Sequence, residues 1–216
     1  AVMQMPESMK HPLLPPMNDG HFTYLMLFED GNRIDLTICS SYEQNEEPMV
    51  VLIDKDEIFP STVEVNDECW HVLPPTQETY WDCCNEFWWC LNNVAKGIAR
   101  DELPYVMEMF QHYVRDMLNQ MVDWYIGMNT GFSVSVGKLG KYYKKFLPPE
   151  LYRRYKETYS DGEYPHIWNA VFSACELFRC LAVEVAKQMG YTYHQQEDAN
   201  MTAYLQRVQK EITAMR

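Results

Sequence analysis

Apolar and polar positions follow two different periods along this chain, and the change from one to the other divides it. Early on, Tyr24-Leu25-Met26-Leu27-Phe28 is a short apolar run, and Arg33 to Ile38 alternates strictly. Arg33, Asp35 and Thr37 point to one face of a strand there, and Ile34, Leu36 and Ile38 to the other. The intervening Asp30-Gly31 predicts a tight hairpin, because glycine tolerates positive φ. Met49 to Ile53, rich in Val and Ile, predicts a further strand. Pro60 and the pair Pro74-Pro75 then punctuate a loop-rich passage, which sets a domain boundary at residues 75/76.

Beyond Thr76 the period becomes three to four. Tyr80, Cys84, Phe87, Leu91, Val94 and Ile98 form one helical stripe. A second, longer helix carries Leu103, Met107, Phe110, Val114, Met117, Met121, Trp124 and Met128. Asp101 is its expected N-cap, with Pro104 in the first turn, where a missing N–H costs little. A third helix runs through Trp168, Val171, Phe172, Cys175, Phe178, Ala182, Val185 and Met189, with Gly190 as its stop. A last amphipathic segment spans about Asp198 to Ala214. Long helices with apolar stripes must pack on one another, so the fold class is α+β: a strand-rich domain over residues 1–75 and a helical bundle over 76–216.

Composition narrows the function. Lys plus Arg number 18 against 31 Asp plus Glu, a net charge of −13. That excess repels phosphate backbones and anionic lipid, so neither nucleic acid nor a membrane surface is an expected partner, and it suits a cationic ligand. Seven cysteines, none in C-x-x-C spacing, read as reduced buried thiols. No apolar stretch reaches the roughly 20 residues of a membrane span. Ala1 to Lys10 lacks a basic-then-apolar leader, so the expected location is the cytoplasm.

Four places carry candidate chemistry. Asp35 is a carboxylate beside a hairpin; alone, it reads first as a charged strand face. Asp54 and Asp56 form a D-x-D pair where a strand runs into a loop. On the first helix, Asp82, Glu86, Trp89, Asn93, Lys96 and Arg100 recur at three- or four-residue steps opposite the core stripe. Its acidic, aromatic end suits a polycationic sugar, and its basic end follows about 15 Å further along. The same gradient also complements the helix dipole, which is the simpler reading of the pattern alone. Finally, Lys138, Lys141, Lys144, Lys145, Arg153, Arg154 and Lys156 make a basic island with Glu150 as its acid. A solvated surface accounts for most of these cations. Lys138 stands out, because Gly131-Phe-Ser-Val-Ser-Val-Gly137 leads into it with the small residues and hydroxyls that suit a phosphate, although no P-loop is present.

Several stretches together resemble the aminoglycoside 6-adenylyltransferases, the streptomycin-modifying nucleotidyltransferases of bacteria. They are Tyr24 to Thr37 (YLMLFEDGNRIDLT), Val51 to Asp56 (VLIDKD), Asp82 to Trp89 (DCCNEFWW), Val94 to Gly97 (VAKG), Gly131 to Lys138 (GFSVSVGK) and Ala174 to Arg179 (ACELFR). The resemblance spans essentially the whole chain. It implies a nucleotidyltransferase-type mixed sheet followed by a helical bundle, and transfer of AMP from ATP to a hydroxyl of an aminoglycoside such as streptomycin, giving antibiotic resistance. ATP is then co-substrate, with Mg²⁺ held by three carboxylates.

In this superfamily two of those acids come from a G-S motif followed by D-x-D, and the third from a later strand, which R-I-D-L-T matches at Asp35. The resemblance thus implies that Asp35 is a catalytic metal ligand, with general-base duty toward the attacking hydroxyl as a second role. Beside that resemblance, face geometry and charge point to Asp82, Glu86 and Trp89 for the cationic antibiotic, and to Lys96, Arg100 and Lys138 for the triphosphate. No Gly-Ser pair occurs, and no D-x-D precedes Asp35; Asp54 and Asp56 follow it and match a different segment. The sequence therefore reads as beginning inside the nucleotidyltransferase domain. The alternative function is a homologue that binds nucleotide or a cationic ligand without catalysis.

Overall fold

The computed structural model describes residues 3–6, 21–39, 48–59 and 66–215. The chain divides into two compact units, Ala1–Glu47 and Pro48–Arg216. Each is taken by itself.

The first unit holds an antiparallel sheet in the order β1 (Met3–Pro6), β2 (His21–Leu27), β3 (Arg33–Cys39). The expected hairpin joins β2 to β3, with Gly31 at φ +84° and its N–H donating to the Phe28 carbonyl at 3.0 Å. The Asp30 carboxylate closes the turn by accepting the Asn32 N–H at 3.0 Å, the local bond that suits Asp to turns. Leu25 pairs with Asp35 and Tyr24 with Leu36. One face of the hairpin therefore carries Asp35 with Arg33, Thr37, Thr23 and Leu25, and the other Ile34, Leu36, Ile38, Met26, Tyr24 and Phe22. Thr23 and Thr37 hydrogen-bond across the strands at 2.8 Å. All of β3 is exposed, including its apolar face.

Met49–Ile53 does not form the expected strand. Among the described residues the sheet is built of β1, β2 and β3. Just beyond, the Asp54 carboxylate accepts the backbone N–H groups of Ile58 and Phe59 at 3.2 and 3.0 Å, which bends the chain into a turn. Val-Ile content records suitability for a pleated surface; it does not supply the partner.

The second unit is helical: α1 (Gln77–Ala99), α2 (Leu103–Glu108), α3 (Arg115–Thr130), α4 (Tyr143–Phe146), α5 (Pro149–Lys156), α6 (Tyr164–Met189) and α7 (Gln195–Met215). The unit boundary falls upstream of Pro74-Pro75 because the approach to α1 already packs with the helices. Val72 is buried there, and its N–H donates to the Val134 carbonyl at 3.1 Å. Pro60 lies outside the described residues.

Thr76 caps α1 reciprocally with Thr79, each side chain accepting the other's backbone N–H. Every residue of the expected α1 stripe is buried. The α6 stripe packs on it: the Phe87 and Phe178 rings stack at 3.8 Å, and the Tyr80 hydroxyl donates to the Ala182 carbonyl at 2.8 Å.

Asp101 is not an N-cap. It takes φ +60° directly after α1, where its N–H donates to Ile98 and that of Glu102 to Gly97, so it forms the left-handed turn that ends α1. Glu102 occupies the cap position of α2, with Pro104 in the first turn as expected. The second helix also is not one regular α-helix. Between α2 and α3 the turns of Met109–Val114 widen to a π-helix, and Gln111 within it accepts from Arg115.

Candidate functional site

On α1, helical spacing places Asp82, Glu86, Trp89, Asn93, Lys96 and Arg100 along one face. Asp82, Trp89, Lys96 and Arg100 are exposed, and Glu86 is half-buried. Trp89 shows 64% of its surface to solvent, a large cost for an aromatic ring with no packing duty. Glu86 accepts the Cys90 thiol at 3.1 Å, and burial, reinforced by this carboxylate, pushes that thiol up to about 12. The acidic, aromatic half of the face is thus an open surface with a preset carboxylate.

Lys138 lies elsewhere. It lines a cleft of about 860 Å³ together with Lys141, Lys145, Asp67, Trp70, Tyr142 and the stretch Ser133–Gly137. Lys96 and Arg100 do not line this cleft, so the three cations expected for one triphosphate are not brought together. Two other lysines share the cleft with Lys138: Lys141 Nζ lies 4.9 Å from the Tyr142 ring and Lys145 Nζ 4.8 Å from the Phe146 ring. The Tyr142 N–H donates to the Val136 carbonyl at 3.0 Å, and the Gly137 N–H to the Ser135 hydroxyl at 3.1 Å. Gly140 is required by space and conformation alike: at φ +72°, a Cβ there would meet the Tyr143 ring at 2.5 Å.

Behind the cleft, α3 presents Arg115, Asn119 and Asp123 at four-residue steps, a polar ladder that apolar periodicity does not show. Tyr143 is buried against it, its hydroxyl donating to Asp123 Oδ1 at 2.5 Å, with the Asn119 carbonyl oxygen at 3.2 Å as second acceptor. The Tyr155 hydroxyl donates to Asn119 Oδ1 at 2.8 Å. Arg115 is buried, donates to the Thr158 carbonyl at 2.7 Å and lies 4.0 Å from the Tyr159 ring. Burial pushes the Asp123 carboxyl up to about 6, partly opposed by the Tyr143 bond. The available signals are the spacing 115/119/123 and the tyrosines at 143, 155 and 159; a stripe search that scores only apolar residues discards both.

Asp35 is exposed on β3, its carboxylate gripped by Arg33 through two bonds of 2.8 and 2.7 Å. Among the described residues no three His, Cys, Asp or Glu side chains are grouped so as to hold a metal ion. The two-ion centre implied for Mg²⁺ needs three acids, and here one acid faces an arginine, so the described donors do not fit it. Asp54 spends its carboxylate on the turn that follows Ile53.

A family model described as streptomycin adenylyltransferase matches residues 1–208. The chain is 37% identical over 197 residues to an aminoglycoside 6-adenylyltransferase of Campylobacter jejuni, spanning 89% of this chain and 67% of that protein. It is 36% identical over 198 residues to the Bacillus subtilis (strain 168) protein of the same name, spanning 89% and 69%. It also superimposes on the crystal structure of an aminoglycoside 6-adenyltransferase from Bacillus subtilis with a TM-score of 0.60 at 31% identity, covering 96% of this chain and 78% of that one. Sheet, bundle and relatives together define a nucleotidyltransferase. The chain belongs to the streptomycin adenylyltransferase family. Among the described residues no helix is long and apolar enough to cross a membrane.

Proposed function

We propose that this chain serves the transfer of AMP from ATP to a hydroxyl of a cationic aminoglycoside such as streptomycin. The hydroxyl oxygen forms a bond to the α-phosphorus and gives up its proton to solvent, the bond from that phosphorus to the oxygen bridging to the β-phosphorus breaks, and pyrophosphate leaves with those electrons. The observation that carries the reading is the cleft: three lysines and an indole, with the small residues Ser133, Ser135 and Gly137 and one acid, Asp67, around one space large enough for a nucleotide. Three ammonium groups offset the triphosphate's charge inside an otherwise acidic chain, and Trp70 offers a base a stacking surface. The α1 face is the counterpart for the antibiotic, with Asp82 and Glu86 toward its cations and Trp89 toward a cationic or sugar face. Lys96 and Arg100 stand apart from the cleft and take a secondary part, attracting anions to the end of α1.

A second reading, binding without turnover, draws on Asp35. Its carboxylate is tied to Arg33 and belongs to no group of three or more possible metal ligands among the described residues. No step is therefore routed through a metal here.

One experiment separates the two. Calorimetry with ATP–Mg²⁺ and with streptomycin is paired with a pyrophosphate-release assay on this chain. Binding of both ligands is expected; binding of both with no release overturns the transfer reading for this chain. Release at rates typical of enzymes overturns the binding-only reading, and failure to bind either ligand overturns both.

A further inference from the structure

The lysine cleft is built on a short segment with little intrinsic reason to hold its shape. Between Gly131 and Leu147 regular structure amounts to a three-residue 3₁₀ turn at Lys138–Gly140 and the single turn of α4, too short to be stable alone. Leu139, at φ +57° and highly exposed, contributes strain and no packing. Yet this segment carries Lys138, Lys141 and Lys145, whose mutual placement decides whether three cations meet one polyanion.

One side chain of the segment goes deep. Tyr143 is 3% exposed, stands edge-on to the Tyr155 ring at 5.4 Å, and brings its hydroxyl to Asp123 and the Asn119 carbonyl on α3. Its neighbour Tyr142 faces the cleft, Lys141 and Lys145 lie two residues to either side, and Gly140 is pressed against the Tyr143 ring. Phe132, Val134, Val136 and Phe146 also pack on the core, but the side-chain hydrogen bonds from the Lys138–Lys145 turn to α3 are those of the Tyr143 hydroxyl. α3 is itself a long helix whose apolar positions lie in the core, so it is a rigid reference for an element that opens easily by itself.

We infer that Tyr143 and Asp123 are positioning residues: the hydroxyl–carboxylate bond fixes the Lys138–Lys145 turn on α3 in the shape that meets a polyphosphate. Neither residue touches the ligand. The bond acts through the lysines on either side of Tyr143, and its value for binding is preorganisation, since cations fixed before the anion arrives lose less freedom on binding. The inference rests on the cleft being the nucleotide site.

The test uses the full chain and the variants Tyr143→Phe, Asp123→Asn and Asp123→Leu. Each is followed by amide hydrogen exchange and by titration with ATP–Mg²⁺ and with streptomycin. Tyr143→Phe and Asp123→Leu are expected to speed exchange across residues 137–146 by about tenfold and to weaken ATP by about tenfold, the scale of a lost hydrogen bond to a charged group. Exchange in α1 and the affinity for streptomycin stay at parent values. Asp123→Asn, which still accepts from the hydroxyl, restores both quantities to near the parent. Unchanged exchange at 137–146 in Tyr143→Phe overturns the inference. So does parallel loss of both ligands with faster exchange throughout the helices, which marks a purely structural pair. The exchange data decide the pinning and the parent chain's ATP titration decides the reading of the cleft, so either can fail alone.

Discussion

Arg33 grips Asp35 on β3 through two N–H···O bonds, and Arg179 on α6 grips Asp198 on α7 with the same fork. The surroundings differ completely. Side-chain exposure is 65% and 45% for the first pair, but 37% and 5% for the second. Around Asp198 the Tyr193 hydroxyl donates at 2.9 Å and that of Thr202 at 3.1 Å, so every lone pair of a buried carboxylate is met. Asp35 has Arg33 and water. An exposed pair is worth little because water competes for both charges, whereas a buried carboxylate is costly unless fully partnered. Asp35 is thus able to exchange its arginine for another cation at small cost, while Asp198 is bound up in joining two helices.

The sharpest way to break this contrast is Asp198→Ala. It strands a part-buried guanidinium, so a loss of about 3 kcal/mol in denaturant unfolding is expected. A loss below about 1 kcal/mol would place Asp198 with the surface pairs.

Asp123 supplies an intermediate case, a half-buried carboxylate that accepts from the Tyr143 hydroxyl. Burial raises it from 3.8 to about 6. The native chain therefore holds that proton more tightly than the unfolded chain, and stability falls as pH rises through this window and stays at the lower level above it. Asp123→Asn keeps the acceptor for Tyr143 without the charge. It is expected to stabilise the chain by about 2 kcal/mol at pH 7.5, with little change below pH 4, in thermal melts across that range. A variant less stable than the parent at pH 7.5 refutes the burial penalty.

Glu86→Gln tests whether a preset carboxylate on α1 works on a ligand rather than on the fold. Streptomycin binding is expected to weaken by about tenfold in calorimetry, near 1.4 kcal/mol, while ATP binding stays nearly intact. Equal loss of both would make Glu86 structural. The smallest effect belongs to Asp35→Ala, about 0.5 kcal/mol in denaturant unfolding. A larger loss would mean that the β3 pair holds its part of the fold as firmly as the buried pair does.

How much of this is readable in advance follows from range. The α1 and α6 stripes, the Asp30-Gly31 hairpin and the Gly190 stop are legible, because each depends on residues within a few positions of one another. Met49–Ile53 misleads because strand formation waits on a partner. Asp101 misleads because one residue type suits both a cap and a left-handed turn. Asp82, Glu86 and Trp89 are legible as a face. That Lys138 joins Lys141 and Lys145, and not Lys96 and Arg100, is not.

The residue pattern alone determines the α+β composition, the helical stripes that must pack, the acidic balance and the family. Those properties are local periodicities, sums or matched words, and need no knowledge of which helix meets which. Tertiary structure alone decided that Tyr143 reaches Asp123 across 20 residues, that Arg179 reaches Asp198 across 19, and which lysines share a cleft. Burial and hydrogen-bond completion belong to the assembled neighbourhood of a side chain, and that neighbourhood exists only once distant segments have packed.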